Sequence, residues 1–154
     1  MRILELMQPN DSGRSLVPNT SPWPDYYGDV RRFNIATSGT EHARASVGFP
    51  DNPQVTETRL KLIEEEVTEL REAIEAGDIV EVADALADIL YVTFGAFAAF
   101  GIDPADVHRE VHRSNMAKLV DGKVIRRGDG KVLKPEGWTP PDIAAELRKQ
   151  GADV

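Results

Sequence analysis

The side chains best suited to chemistry are carboxylates gathered in one stretch. Between Glu57 and Asp88 there are 11 acidic and 3 basic residues, whereas the rest of the chain holds 15 of each, and the whole carries a formal charge of −8. Read as a helix at about 100° per residue, this stretch has an apolar arc edged by Leu60 and Leu62. Glu66 falls inside the arc and Glu69 just beyond it. Glu65 lies further out, and Glu72 and Glu75 point towards a solvated face. One helix later, Glu81, Asp84 and Asp88 form a line at i, i+3 and i+7, which Tyr91 and Gly95 continue. An ionised carboxylate on a buried face is costly unless a cation or donors satisfy it, and carboxylates facing one another repel. Hard divalent cations, Mg²⁺ or Mn²⁺, suit such oxygen-only ligands; a network with basic side chains is the alternative.

Other chemistries are narrowed by composition. With no cysteine in the chain, thiolate nucleophiles and Cys-ligated metal centres are excluded. The three histidines, His42, His108 and His112, supply no Glu-x-x-His motif of the di-iron bundles. His108-Arg-Glu-Val-His112 is not the order of a zinc protease. The acidic balance argues against a nucleic-acid polymer as partner. From His108 to Lys134, however, there are 8 basic and 3 acidic residues. On the helix there, Val107 and Val111 are expected to face inward, with Asn115 and Lys118 continuing that side. An amide and an ammonium suit phosphate oxygens. Beyond them lie Lys123, Arg126, Arg127, Lys131 and Lys134 on a glycine-rich segment able to close over a polyphosphate. Neither Gly-Lys pair there fits a Walker A loop, and Arg127-Gly128-Asp129 reads as a turn.

The elements that must position these residues read as all-α. Residues 1–24 have the composition of an arm or linker. A short helix is expected over Tyr26–Ala36, then a loop over Thr37–Pro53. Leu60, Ile63, Val67, Leu70 and Ile74 predict a helix over Thr56–Ala76 with that stripe buried. Gly77 stops it, and Asp78 caps a second helix to about Phe100, apolar nearly all round and so expected to be central. A tight turn there would set the two carboxylate groups face to face. Asp103-Pro104 opens a third helix to about Leu119. Asp121-Gly122 and Asp129-Gly130 mark turns of a small hairpin between residues 119 and 134. A last helix is expected over Ile143–Lys149. Met1 to Asp11 lacks the apolar run of a signal peptide, and Ile89–Phe100 falls short of the roughly 20 residues of a membrane span. A cytoplasmic protein without a membrane partner is expected. Four short helices make a thin core, so a homodimer is expected.

The run Glu64-Glu65-Glu66-Val67-Thr68-Glu69-Leu70, followed by Asp84-Ala-Leu-Ala-Asp88-Ile-Leu-Tyr91, resembles the MazG-like all-α nucleotide pyrophosphohydrolases. These include phosphoribosyl-ATP pyrophosphohydrolases and dimeric dUTPases, and their signature is Glu-x-x-Glu followed one helix later by Glu-x-x-Asp. Glu110-Val-His-Arg-Ser-Asn115-Met-Ala-Lys118-Leu and Asp129-Gly-Lys-Val-Leu-Lys134-Pro-Glu-Gly-Trp138 resemble the phosphoribosyl-ATP pyrophosphohydrolase-like subgroup. Asp29-Val-Arg-Arg-Phe-Asn34 resembles its first helix, so the likeness runs from about Asp29 to Ile143.

The resemblance implies a four-helix core over residues 25–150, completed by dimerisation, with a short basic hairpin after it. It implies Mg²⁺-dependent hydrolysis of a nucleoside triphosphate to monophosphate and pyrophosphate, with Mn²⁺ a possible substitute. Glu66 and Glu69 match the first pair. Asp88 matches the later aspartate if Asp88-Ile-Leu-Tyr91 is the anchor, and the glutamate position then falls on Ala85; Glu81-Val-Ala-Asp84 is the literal alternative, so Glu81 or Asp84 could supply the ligand. Glu65 matches a further acidic position that holds a second metal or orients water, and Glu65 or Glu66 would act on the water. Asn115, Lys118, Arg127, Lys131 and Lys134 would hold the phosphates. Two other readings remain: phosphoribosyl-ATP as the substrate, and a non-catalytic helical dimer whose carboxylates pair with Arg109 and Arg113.

Overall fold

The computed structural model describes residues 25–154; the arm expected over 1–24 lies outside them. Five helices, α1 (Tyr26–Ser38), α2 (Pro53–Ala76), α3 (Ile79–Ala99), α4 (Pro104–Met116) and α5 (Ile143–Lys149), make up most of the described chain. A single 3₁₀ turn, Thr40–His42, interrupts the loop expected between α1 and α2. The all-α class is therefore observed.

Local chemistry sets the helix ends. Asn52 caps α2 by accepting from the Gln54 amide at 3.0 Å, with Pro53 in the first turn, so the helix starts three residues before Thr56. Gly77 takes the left-handed conformation at φ 70° that ends α2, and the Asp78 carboxylate accepts from the Val80 amide at 2.9 Å to start α3. This two-residue link folds α3 back along α2, which forms the main packing of the molecule. α1 lies across α3 with Tyr27 against Phe94 and Phe33 against Tyr91, both edge-on. Asp103 and Pro104 open α4, which ends at Met116 and packs chiefly on α5. Strands β1 (Leu119–Val120) and β2 (Lys123–Val124) pair antiparallel around Asp121-Gly122, both residues at positive φ as a two-residue hairpin turn requires.

The α2–α3 seam is narrower than the apolar pattern implied. The buried positions of the two helices are Val55, Arg59 and Ala73 on α2, and Ala85, Gly95, Ala98 and Ala99 on α3, where α1 and the 3₁₀ turn also pack. Leu60, Val67 and Ile74 of the expected buried stripe stand exposed, Ile74 at 61%. One partner helix covers only part of a wide arc, and α3 takes the side on which small residues permit close approach. α3 is the element on which α2, α1 and the 3₁₀ turn all pack, but it is not covered all round: Ile79, Val80, Leu86, Leu90 and Tyr91 face outward. By length and composition α3 could cross a membrane, having 21 residues and a mean hydropathy of 1.5, although its first half carries Glu81, Asp84 and Asp88.

Candidate active site

The acidic half is built by the α2–α3 hairpin. Glu66 lies in the seam, as its place in the arc predicts, and its Oε2 is buried without a hydrogen-bond partner among the described residues. Loss of water, and then the charges of Glu69, Asp88, Glu65 and Asp84, raise its pKa above the ordinary 4.5. The structure thus gathers Glu65, Glu66 and Glu69 of α2 with Asp84 and Asp88 of α3. Glu72 and Glu75 are exposed, as expected of a solvated face. Lys61 pairs with Glu57 at 2.8 Å and lies close enough to Glu65 and Glu64 to feel their charges.

A buried oxygen without a donor, ringed by carboxylates, fits a hard cation better than any neutral ligand. Among the described residues no three Asp, Glu or His side chains converge closely enough to hold a metal as they stand. The alternative neutralisation by Arg109 and Arg113 is not what the structure shows. Arg109 pairs with Asp106, and Arg113 holds Glu110 through two hydrogen bonds of 2.7 Å.

The basic half meets the expectation in part. Val107 and Lys118 are half-buried, Val107 on the same face as buried Ser114, while Val111 and Asn115 are exposed. Ser114 is buried because the C-terminal segment docks there: its Oγ donates to the Thr139 carbonyl at 3.1 Å, and its own carbonyl accepts from Trp138 Nε1 at 2.8 Å. Asn115 and Lys118 still act together, Lys118 Nζ donating to Asn115 Oδ1 at 2.7 Å. Arg127 is bound to Asp129, whose carboxylate also accepts from the Lys131 amide at 3.1 Å, so this arginine is already neutralised. Lys134 lies over the Trp138 ring, 4.0 Å from its centroid. Within one chain α4 packs chiefly on α5, so the structure does not join the acidic and basic halves.

Two features escape the periodicity argument. Arg59, one of α2's seam residues, is 7% exposed; its guanidinium donates to His42 Nδ1 at 2.9 Å, and its Nε has no partner among the described residues. Burial lowers its pKa. Asn34 of α1 is buried beside it and donates to the His42 carbonyl at 3.3 Å. The available signal was spacing, since Arg59 lies seven residues before Glu66 and so shares its face. The other feature is Trp138, whose anchoring role no period could reveal.

Comparison with known proteins places this architecture. The family model for phosphoribosyl-ATP pyrophosphohydrolase matches residues 35–115, a little over half the chain, including both carboxylate groups and ending at Asn115. A stretch of 55 residues is 47% identical to the uncharacterized protein L479 of Acanthamoeba polyphaga mimivirus, covering 36% of this chain and 22% of the viral one. The family acts as pyrophosphohydrolases and typically depends on a divalent metal. On the strength of the family match, and with a helical structure that agrees, the chain belongs to the phosphoribosyl-ATP pyrophosphohydrolase family, within the MazG-like group.

Proposed function

We propose that the protein is a Mg²⁺-dependent nucleoside triphosphate pyrophosphohydrolase that adds water across the α–β phosphoanhydride bond and releases a nucleoside monophosphate and pyrophosphate. The observation that carries this reading is the buried, unpartnered Oε2 of Glu66 among four other carboxylates. Glu66, Glu69 and Asp88 would hold the metal. Asp84 is favoured over Glu81 as a further ligand, because Glu66 feels its charge. When bound, Mg²⁺ supplies charge neutralisation at the phosphate oxygens. Glu65, exposed beside Glu66, is free to orient the attacking water and take its proton. Asn115 and Lys118 bring an amide and an ammonium to the phosphates, with Lys131 and Lys134 on the loop beyond. Arg127 is the weakest of the expected contacts, because Asp129 already holds it.

A second copy of the chain fits the exposed apolar faces of the same two helices. Leu60, Val67 and Ile74 repeat every seven residues along α2, and Leu86 and Leu90 stand out on α3. Contiguous apolar exposure of this kind marks an interaction surface. In such a homodimer the site would lie near the subunit interface. The family's description favours phosphoribosyl-ATP as a second candidate substrate.

The test is Mg²⁺-dependent pyrophosphate release across dUTP, dCTP, dTTP, ATP and phosphoribosyl-ATP, with the products identified. Pyrophosphate plus a monophosphate is expected from at least one of them. Glu69→Ala should lower the rate by about two orders of magnitude or more, as loss of a group stabilising transition-state charge does, while leaving the helical circular dichroism intact. Undiminished release in that variant would overturn the assignment.

A further inference from the structure

Two lysines converge on one indole beyond the residues that the family model matches. Lys134 Nζ lies 4.0 Å and Lys118 Nζ 5.8 Å from the Trp138 ring centroid. By the triangle inequality the two ammonium groups are within about 10 Å of each other. Sequence separates them by 16 positions, so the fold, rather than chain proximity, brings them together. The cause is a turn over Pro135–Trp138, closed by the Trp138 amide donating to the Pro135 carbonyl at 3.1 Å. Gly137 occupies its third position at φ 76°, where a side chain would be strained. That turn delivers the indole to α4, where the Ser114 carbonyl fixes its Nε1 and the Ser114 hydroxyl holds the next residue's carbonyl. The ring is therefore a fixed platform, and each ammonium is drawn to it.

Among the described residues, the basic side chains of this segment divide into those with a carboxylate partner and those without one, Lys123, Arg126 and Lys131 being of the second kind. Arg109, Arg113 and Arg127 each have a carboxylate partner. Neither Lys118 nor Lys134 pairs with a carboxylate among the described residues; the one polar partner of Lys118 there is the neutral Asn115 amide oxygen. Two like charges held near one ring repel unless an anion lies between them.

We propose that Lys118, Lys134 and Trp138 form an anion clasp that takes the diphosphate part of a nucleotide, with Trp138 the positioning residue that brings Lys134 to Lys118. The clasp rests on the pyrophosphohydrolase reading for the identity of its anion, but not for its existence. It distinguishes among the basic residues: Lys118 and Lys134 grip the phosphate chain, while Arg127 shapes the turn through Asp129.

The indole is its own reporter. The chain has two tryptophans, so Trp23→Phe leaves Trp138 as the sole one. In that full-length variant, inorganic pyrophosphate added in EDTA should change the emission saturably, with no metal required. Sodium chloride and sodium sulfate at matched ionic strength should not reproduce the change. Lys134→Gln should weaken pyrophosphate binding tenfold or more with unchanged circular dichroism, and Lys134→Arg should restore most of it. In the enzymatic assay Trp138→Ala should raise KM more than it lowers kcat. A response to pyrophosphate no larger than to sulfate, or an unchanged affinity in Lys134→Gln, overturns the clasp. The two readings fail separately: pyrophosphate release without this response refutes the clasp alone, and a saturable response without hydrolysis of any nucleotide refutes the enzymatic reading alone.

Discussion

Replacing Glu66 by Gln removes one charge and almost no volume, and its effect on stability can be worked out in sign and size. The native carboxyl has a pKa above 4.5, through desolvation first and then repulsion by Glu69, Asp88, Glu65 and Asp84. The folded state therefore keeps this proton to higher pH than the unfolded chain does. Its contribution is fully present below the ordinary carboxylate value and is lost as pH rises through the raised one. Between pH 4.5 and neutrality the melting temperature of the wild type should fall relative to Glu66→Gln. Mg²⁺ should stabilise the wild type more than the variant at pH 7.5. At a concentration about 100 times the wild-type Kd, a ligand specific to the folded state stabilises by about 2.7 kcal/mol. For a chain of this length that is roughly 5–11 °C. A tenfold loss of affinity in the variant would halve the gain to about 1.4 kcal/mol at the same concentration. Differential scanning fluorimetry over pH 4.5–7.5, with EDTA or Mg²⁺, measures both effects. Equal Mg²⁺ shifts in the two proteins, with parallel pH profiles, would refute the reasoning that this carboxylate is stranded for want of a cation.

Three further outcomes follow from other parts of the structure. Gly95→Ala should destabilise by about 1–3 kcal/mol in urea titration, because a Cβ there would lie 2.9 Å from an Arg59 guanidinium nitrogen. Most of that cost should vanish in an Arg59→Met background if the contact is its cause. Glu110 is held at about 2 by Arg113 and by the Asp142 amide, so its contribution is present above the ordinary value and is lost as pH falls towards 2. Glu110→Gln should therefore flatten acid unfolding between pH 4.5 and 2, followed by circular dichroism. Val67→Glu places a charge in the exposed apolar stripe of α2 and should shift sedimentation from dimer to monomer, whereas a stripe without a partner would leave it unchanged.

The limits of the helices were legible because the groups that set them are local. Gly77-Asp78 and Asp103-Pro104 each satisfy or forgo a backbone donor within a few residues; Asn52-Pro53 does the same for α2, but the apolar period begins only after it and leaves that pair in the expected loop. Which face is buried was less legible, since that depends on the neighbour. Leu60 and Arg59 are adjacent in sequence, and hydrophobicity favours burying the leucine; the structure buries the arginine, because its face meets Gly95 and the His42 ring offers it an acceptor. The leucine is left on a surface that a single chain does not cover. An apolar pattern reports everything a helix hides in its final assembly, and not which partner hides it.

The same distinction separates the two halves of the site. Glu66 and Asp88 sit on helices joined by two residues, so the turn fixes their register and the sequence alone could set them face to face. The cationic half had no such constraint. The period through Val107 runs on to buried Ser114 seven residues later, but the segment that docks there arrives 24 residues further on through Trp138, which no period reports. What positions Lys118 and Lys134 is an indole bonded to a helix carbonyl, a contact that neither charge counting nor periodicity encodes. Side chains set by a short turn can be paired from their spacing alone, and those set by a long-range anchor cannot.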